Sequence, residues 1–448
     1  MPEKIMSELT TIILAAGDGT RMRSKLAKLL HKVAARAIIA HVVQAALDAG
    51  SKTIGAVIAP GQDAIKKTIA AIAPEANFFE QEQRLGTAWQ DASGYIAIVY
   101  GDHPLLRAEN FHAVIKKLDE GWDAAILGFE PDDPSGYGRF VINGEALVDI
   151  VEHKDASADE RKIKLCNACI LAFKADVFVQ TIEKVKNNNA QHEFYLVDLV
   201  RIANSMGFRV GYAIAPAHDV MGVNSRAQLA EAEHLFQQRL RKKFMDGGAS
   251  LIDPATSYFS FDTIVGRDVT IEPGVFIGPG VTIADDVIIK AFSHLEGAKL
   301  DKGAIVGPFA RLRPGTKLGQ EAKAGNFCEL KNADIGKGAK VNHLSYIGDA
   351  SVGEGANIGA GTITCNYDGL NKHKTEIGAY AFIGSNSSLV APVEIGQGAY
   401  VGSGSVISAD VAENALAIGR ARQINKNDYA PKIRARAKAI KDRKQKES

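Results

Sequence analysis

Aliphatic residues recur every six positions through the second half of the chain. Val265, Ile271, Ile277, Ile283, Ile289 and Leu295 hold the spacing, and so do Val306, Leu312, Leu318, Ala324 and Leu330. Ile335, Val341 and Ile347 follow, then Val352 and Ile358 after a one-residue slip, and the cleanest run is Ile377, Ile383, Leu389, Ile395, Val401 and Ile407. A helix repeats at 3.6 residues and an ordinary strand at two, so this pattern fits neither. It is the repeat of a parallel β-helix, in which each hexad makes one short strand and one turn of a triangular coil. The aliphatic residue fills the prism. The glycine that often comes next, as at Gly266, Gly336, Gly359, Gly384 and Gly402, is expected to supply backbone freedom at the corner. A β-sandwich would instead show longer alternating strands.

The first ~225 residues alternate strand and helix signals, which argues for a mostly parallel sheet covered on both faces. Thr11–Ala16, Ile54–Ala59 and Tyr95–Tyr100 read as strands, and Ile39, Val42, Val43, Ala46 and Leu47 mark one helix face within His31–Ala49. Phe194–Met206 reads as a helix and Arg209–Ala213 as a strand. A longer charged helix over Ser225–Asp246 is the best linker candidate, and an ordinary last helix of the first domain is the equal alternative. The expected layout is therefore an α/β domain over 1–225, a linker helix over 226–248, a β-helix over 249–425 and a basic tail over 426–448.

Lys+Arg is 53 and Asp+Glu is 52, so the net charge of +1 gives no global attraction to nucleic acid or anionic membrane, and any anion site must be local. The polar start Met1–Glu8, the absence of an apolar run near the ~18 residues of a membrane span, and only 4 cysteines give the expectation of a reducing cytoplasm. Cys166 and Cys169 form a C-x-x-C inside an expected strand with no second ligand pair, so their reading is structural. The tail carries eight basic residues between Lys432 and Lys446 against Asp442 and Glu447, and its reading is a solvated or disordered segment, with a nucleic-acid or membrane arm as the alternative.

Leu14-Ala15-Ala16-Gly17-Asp18-Gly19-Thr20-Arg21-Met22 follows the first strand directly. Its glycines let the backbone approach phosphate oxygens, and its amide N–H groups can cradle them. No Gly-Lys-Ser/Thr closes it as a Walker loop, and Met22 stands where a dinucleotide fingerprint needs its third glycine.

This loop with Lys28 resembles the signature of the sugar-1-phosphate nucleotidyltransferases. Coupled to a hexapeptide β-helix, the chain is similar over roughly Thr10–Arg422 to the bacterial family that joins N-acetylglucosamine-1-phosphate uridylyltransferase to glucosamine-1-phosphate N-acetyltransferase. Further matching blocks are Tyr100-Gly101-Asp102, Gly136-Tyr137-Gly138-Arg139, Gly222-Val223-Asn224, Gly307–Gly315 and Ile358–Gly369. The resemblance implies a Rossmann-like, mostly parallel α/β nucleotidyltransferase followed by a left-handed parallel β-helix, associating as a homotrimer. It implies the substrates UTP, glucosamine-1-phosphate, N-acetylglucosamine-1-phosphate and acetyl-CoA, with Mg²⁺ as the metal, and a product that feeds cell-wall and envelope glycans. Neither nucleic acid nor an integral membrane association is expected.

By the same resemblance, Leu14, Ala15, Ala16, Gly17, Gln81, Gly86 and Thr87 take the nucleotide, with Tyr100 and Gly101 beside it. Gly138, Glu152 and Asn167 bind the sugar, Asp102 and Asn224 share the Mg²⁺, and Arg21 and Lys28 stabilise charge on the α-phosphate. A carboxylate, an amide oxygen and waters or phosphate oxygens suit a hard octahedral ion. His343 is implied as the general base for acetyl transfer, and imidazole suits that task near pH 7. Arg313, Lys331, Tyr346 and Asn357 correspond to sugar-phosphate binders, with Asn366 a further candidate. Ala360, Asn366, Tyr367, Ser385, Ser403 and Arg420 correspond to acetyl-CoA contacts. Glu329 could support the base. Arg313 and Arg420 are roughly six coils apart at about 18 residues a coil, so one acetyl-transfer site is expected to draw His343 and Arg420 from different subunits.

The chain departs from the family pattern at Asp18, where the family has lysine, at Ala27 before Lys28, at Ala168 and Cys169 after Asn167, at His192 and at Ser403. Asp18 lowers the local positive potential of the phosphate loop. Two other readings stand beside the leading one. In a single-activity nucleotidyltransferase the β-helix would only hold subunits together, and the His343/Tyr346 pair argues against this. A regulatory protein of like architecture would not need the loop, Asp102 and Asn224 together.

Overall fold

The computed structural model describes residues 8–17, 19–80, 93–185 and 195–447. Asp18, Gln81, Gly86, Thr87 and His192 lie outside the described residues. The chain divides into two compact units, one of Met1–Gly247 with Tyr258–Thr263 and Ile277–Pro279, the other of Gly248–Ser257, Ile264–Phe276 and Gly280–Ser448.

The first unit is built on a twisted sheet. Its strands run in the spatial order Val210–Ile214, Ala124–Phe129, Cys166–Lys174, Tyr95–Tyr100, Leu9–Leu14, Ser51–Ile58 and Asn77–Glu80. Every neighbouring pair is parallel except the two made by Cys166–Lys174, which runs antiparallel to both sides. The central strands are almost continuously apolar because helices cover both faces and neither face meets water. Two separate clusters of buried side chains lie on the two sides of the sheet. Cys166 and Cys169 are buried, unbridged members of this packing, in keeping with their structural reading.

One local expectation fails instructively. The helix read from His31 begins only at Ile38. The residues before it form a 3₁₀ turn, Lys28–Leu30, and a tight hairpin pairing Lys32–Val33 with Arg36–Ala37. Its turn residues Ala34 and Ala35 have φ of 46° and 67°, angles that hairpin turns normally give to Gly, Asn or Asp, so composition carried no turn signal.

The second unit is the expected coil of short parallel strands. Thr270 pairs with Ile288, Ile288 with Ile305, Ile305 with Lys323, Lys323 with Lys340 and Lys340 with Asn357, so each coil stacks in register on the last. The residues after these, Ile271, Ile289, Val306, Ala324, Val341 and Ile358, point inward and are buried, which is why the hexad position is aliphatic. The glycine expectation needs correction. Gly307, after Val306, is an exception at φ 88°, but Gly266, Gly336, Gly359, Gly384 and Gly402 have no left-handed φ. They are small because the next coil lies against them: a Cβ on Gly336 would meet Glu354 N at 2.8 Å. Left-handed corners fall elsewhere, and along one edge they carry Phe292, Phe309, Phe327 and Leu344. The three phenylalanine rings stack in an exposed ladder with centroids 5.2 Å apart at each step.

Between Asn357 and its partner Phe382 the coil is longer than the others, and the excess loops out at Cys365–Thr375. Past the prism, Tyr429–Glu447 forms a helix exposed along its described length. Among the described residues no helix is long and apolar enough to cross a membrane.

Candidate functional site

In the first unit the strand ends bring the site together. Leu9–Leu14 and Tyr95–Tyr100 pair in register, Leu14 opposite Tyr100, so Ala15–Gly17 and Gly101-Asp102 leave the sheet side by side at its carboxyl edge. Gly101 N–H donates to Leu14 O at 2.9 Å, and a Cβ on Gly101 would meet that same oxygen at 2.9 Å. Ligands of open α/β sheets bind at this edge. Val223 N–H donates to the Asp102 carbonyl at 2.9 Å, which sets Asn224 beside the Asp102 side chain. Ser225 then caps the helix Arg226–Asp246 by accepting from Gln228 N–H. That helix packs within the first unit: Arg239 donates to Leu105 O at 2.6 Å and pairs with buried Asp219 at 2.7 Å.

Lys28, Asp102 and Asn224 converge. The Lys28 ammonium donates to Asp102 Oδ2 at 2.6 Å and to Asn224 Oδ1 at 3.0 Å. Gly19 makes the approach possible, with φ of 61° and a hydrogen where a Cβ would collide with the Lys28 stem. One carboxylate oxygen and one amide oxygen thus face a single positive group, so the pair can hold a hard cation. Burial would raise the Asp102 carboxyl, but His103 and Lys28 outweigh it and hold it well below the usual range. Arg21 stands exposed on the 3₁₀ turn Thr20–Met22.

A second group lies past Tyr100. Asn167 N–H donates to Gly138 O at 2.8 Å, and a Cβ on Gly138 would stand 3.2 Å from Glu152 Oε1, so Gly138, Glu152 and Asn167 are neighbours. Among the described residues, the buried Asn167 Oδ1 has no hydrogen-bond partner. Burial raises the Glu152 carboxyl, and burial together with the Glu152 and Asp102 charges raises the Tyr100 phenol.

In the second unit the expected residues separate onto two parts of the prism. Arg313, Lys331, Tyr346 and Asn366 share one side. Arg313 pairs with Glu329 at 2.9 Å, Lys331 with Asp349 at 3.2 Å, and Asn366 donates to Asp349 Oδ2 at 2.5 Å. A Cβ on Gly348 would stand 2.8 Å from Asn366 Nδ2 and would also meet the Tyr346 hydroxyl, so glycine leaves room for both. His343 ends the strand Lys340–His343 on the adjoining side, and Asn357 lies on that side next to Lys340. Above His343, Asn386 N–H donates to Ala360 O and Gly404 N–H donates to Ser385 O, and the Arg420 side chain passes Gly404. Ala360, Ser385, Ser403 and Arg420 therefore climb one edge of the prism, coil by coil. Tyr367 is exposed on the looped-out segment.

Three features escaped the sequence reading. His103 Nδ1 lies 2.8 Å from Asp102 Oδ1, close but off the line of a hydrogen bond. Lys372, from the looped-out segment, meets Lys331 under the influence of Arg313, so three cations gather where two were expected. Contact with the Lys331 ammonium holds Lys372 below the usual lysine range. Glu329 is engaged by Arg313 and Arg311, while the His343 ring meets Asn326 instead.

Residues 11–165 match the MobA-like NTP transferase domain family, and residues 262–297 and 374–409 match the bacterial transferase hexapeptide (six repeats) family. Among curated proteins, the chain is similar to the bifunctional protein GlmU of Azorhizobium caulinodans, at 51% identity over 96% of this chain and 98% of that protein. The protein of the same name from Xanthobacter autotrophicus is 51% identical over 95% of this chain and 97% of its own length, and that of Agrobacterium fabrum is 49% identical over 98% of each.

Proposed function

The chain belongs to the family of the bifunctional GlmU proteins, and from that premise we propose how its two transfer reactions are divided along the sequence. The protein is an enzyme of two activities: acetyl transfer from acetyl-CoA to glucosamine-1-phosphate, and uridylyl transfer from UTP to N-acetylglucosamine-1-phosphate with release of pyrophosphate. In our reading residues 1–225 carry the uridylyl transfer, 249–425 the acetyl transfer, 226–248 joins them, and 426–448 is an accessory basic tail. The convergence of the Lys28 ammonium on both Asp102 and Asn224, three residues far apart in sequence, carries the first assignment.

For uridylyl transfer, Asp102 and Asn224 would hold Mg²⁺, which when bound neutralises charge on the phosphates. Lys28 and Arg21 supply positive charge for the α-phosphate as the sugar phosphate attacks in line. Leu14–Gly17, with Gln81, Gly86 and Thr87, take the nucleotide. Gly138, Glu152 and Asn167 take the sugar, and the orphaned Asn167 Oδ1 supports this because a sugar hydroxyl would satisfy it. For acetyl transfer, Arg313 and Lys331, now joined by Lys372, receive the phosphomonoester. Tyr346 and Asn357 flank the sugar. Acetyl-CoA lies along Ala360, Asn366, Tyr367, Ser385, Ser403 and Arg420. His343 takes the proton from the amine as nitrogen attacks the thioester carbonyl; the N–C bond forms, the C–S bond breaks and CoA leaves as its thiol. The two-sided distribution of these residues supports a homotrimer whose acetyl-transfer site is completed by a neighbouring chain. The cytoplasm, where UTP and acetyl-CoA are made, is the compartment this chemistry requires.

Two variants test the division. Asp102→Ala abolishes UTP-dependent pyrophosphate release and spares acetyl-CoA-dependent thiol release. His343→Ala does the reverse, lowering acetyl transfer about 10²- to 10⁴-fold. Loss of both activities in soluble, folded Asp102→Ala protein refutes the division.

A further inference from the structure

Most strands of the coil are two residues long, but Lys323–Asn326 and Lys340–His343 are four, and they lie on consecutive coils. The added residues continue the pairing beyond the usual corner and bring Asn326 into register with His343. The extension needs Gly325, because a Cβ there would collide with the Asn342 backbone carbonyl. At its end the His343 Nδ1 lies 2.6 Å from Asn326 Oδ1. Glu329, the carboxylate considered as a support for the base, is taken by Arg313 at 2.9 Å and Arg311 at 3.9 Å.

We infer that Asn326 is a positioning residue for acetyl transfer, acting through His343; the inference rests on His343 being the general base. An amide oxygen can only accept, so the histidine nitrogen facing it must carry the proton. That fixes the neutral ring as the Nδ1–H tautomer and leaves Nε2 with a lone pair. The ring is exposed and would otherwise turn about its side-chain bonds; the hydrogen bond holds one orientation. When Nε2 takes the amine proton, the imidazolium keeps its Nδ1–H bond to Asn326, so no second proton moves and no carboxylate needs to be buried beside it. A neutral partner orients the base without pairing it with a fixed negative charge.

Asn326→Ala in the full-length chain is expected to lower kcat for thiol release about 10- to 100-fold, the scale on which removing the outer partner of a working histidine acts in metal sites. KM for glucosamine-1-phosphate and for acetyl-CoA stays unchanged. Asn326→Asp, which still accepts from Nδ1–H, restores most of the rate. In a His343→Ala background Asn326→Ala costs nothing further, since the interaction it served is already gone. A wild-type melting transition of the second unit in every variant reports that the coil is folded, since pyrophosphate release is assigned to the first unit. A normal kcat in Asn326→Ala, alongside a damaged His343→Ala, overturns the inference while leaving the base in place; so does a loss that persists in the double variant. Normal acetyl transfer in His343→Ala removes the base itself and this inference with it.

Discussion

Gly19→Ala perturbs the uridylyl half by adding a single methyl group. Gly19 sits at φ 61°, an angle that costs an L-residue about 1–2 kcal/mol. The new methyl would also overlap the Lys28 Cβ, a backbone-proximal atom with little freedom to move aside. Turn or lysine must shift, and the shift is carried to an ammonium now held at 2.6 Å from Asp102 and 3.0 Å from Asn224. With the φ cost and a displaced stem together, the expected loss is about 2 kcal/mol, or a fall of about 4–8 °C in the first unit's Tm at the sensitivity of a domain this size. Misplacing one charged donor at a phosphoryl-transfer site costs up to about 10²- to 10³-fold in rate, so pyrophosphate release should fall at least tenfold with thiol release intact. Gly17→Ala is the matched control. Nothing lies within 4 Å of a Cβ there, and its φ is not left-handed, so Tm should not change. Scanning calorimetry with the two assays distinguishes them. Gly19→Ala with a normal Tm and normal pyrophosphate release refutes the argument, as does a Gly17→Ala protein equally destabilised.

Two further outcomes follow from the geometry. Lys372→Met should raise KM for glucosamine-1-phosphate about tenfold, the weight of one charge-assisted phosphate contact at an exposed site, without changing KM for acetyl-CoA; an unchanged sugar-phosphate KM removes Lys372 from the site. His41 is 7% exposed, lies 4.7 Å from the Phe236 ring, bonds Val33 O at 2.9 Å, and is lowered by burial from 6.5 to about 4. The unfolded chain binds the proton more readily, so His41 contributes fully above pH 6.5 and its share, at most about 3 kcal/mol, is lost as pH falls toward 4. Tm measured against pH should therefore fall more steeply across that window in the wild type than in His41→Gln, and parallel curves would refute it.

The prism was legible because its cause is periodic: Ile271, Ile289 and Val306 are aliphatic for one reason, repeated each coil, and the reason survives in the spacing. Lys28, Asp102 and Asn224 were reached only through a resemblance, since many strands and helices of the first unit intervene before they meet. Asn326 and Lys372 were missed for a physical reason. Asn326 matters through its neighbour one coil later, and Lys372 through a loop whose return path no hexad dictates. The post-aliphatic glycines were identified, but with the wrong cause: what they need is proximity to the next coil, which is a tertiary fact. The Ala34-Ala35 turn carried no signal, because the strained φ angles are imposed by the hairpin around them.

The looped-out segment Cys365–Thr375 leaves the coil and returns without disturbing the pairing above it: Phe382 stacks on Asn357, and Tyr400 on Phe382. Each rung takes its hydrogen bonds from the rungs directly below and above, so added chain at a corner has no distant partner to displace. A rod of this kind is tolerant of novelty. Selection can lengthen one corner, try new side chains there, and discard them again, while the interior stack is neither repacked nor re-registered. Lys372 stands on such chain, which the repeat itself does not require.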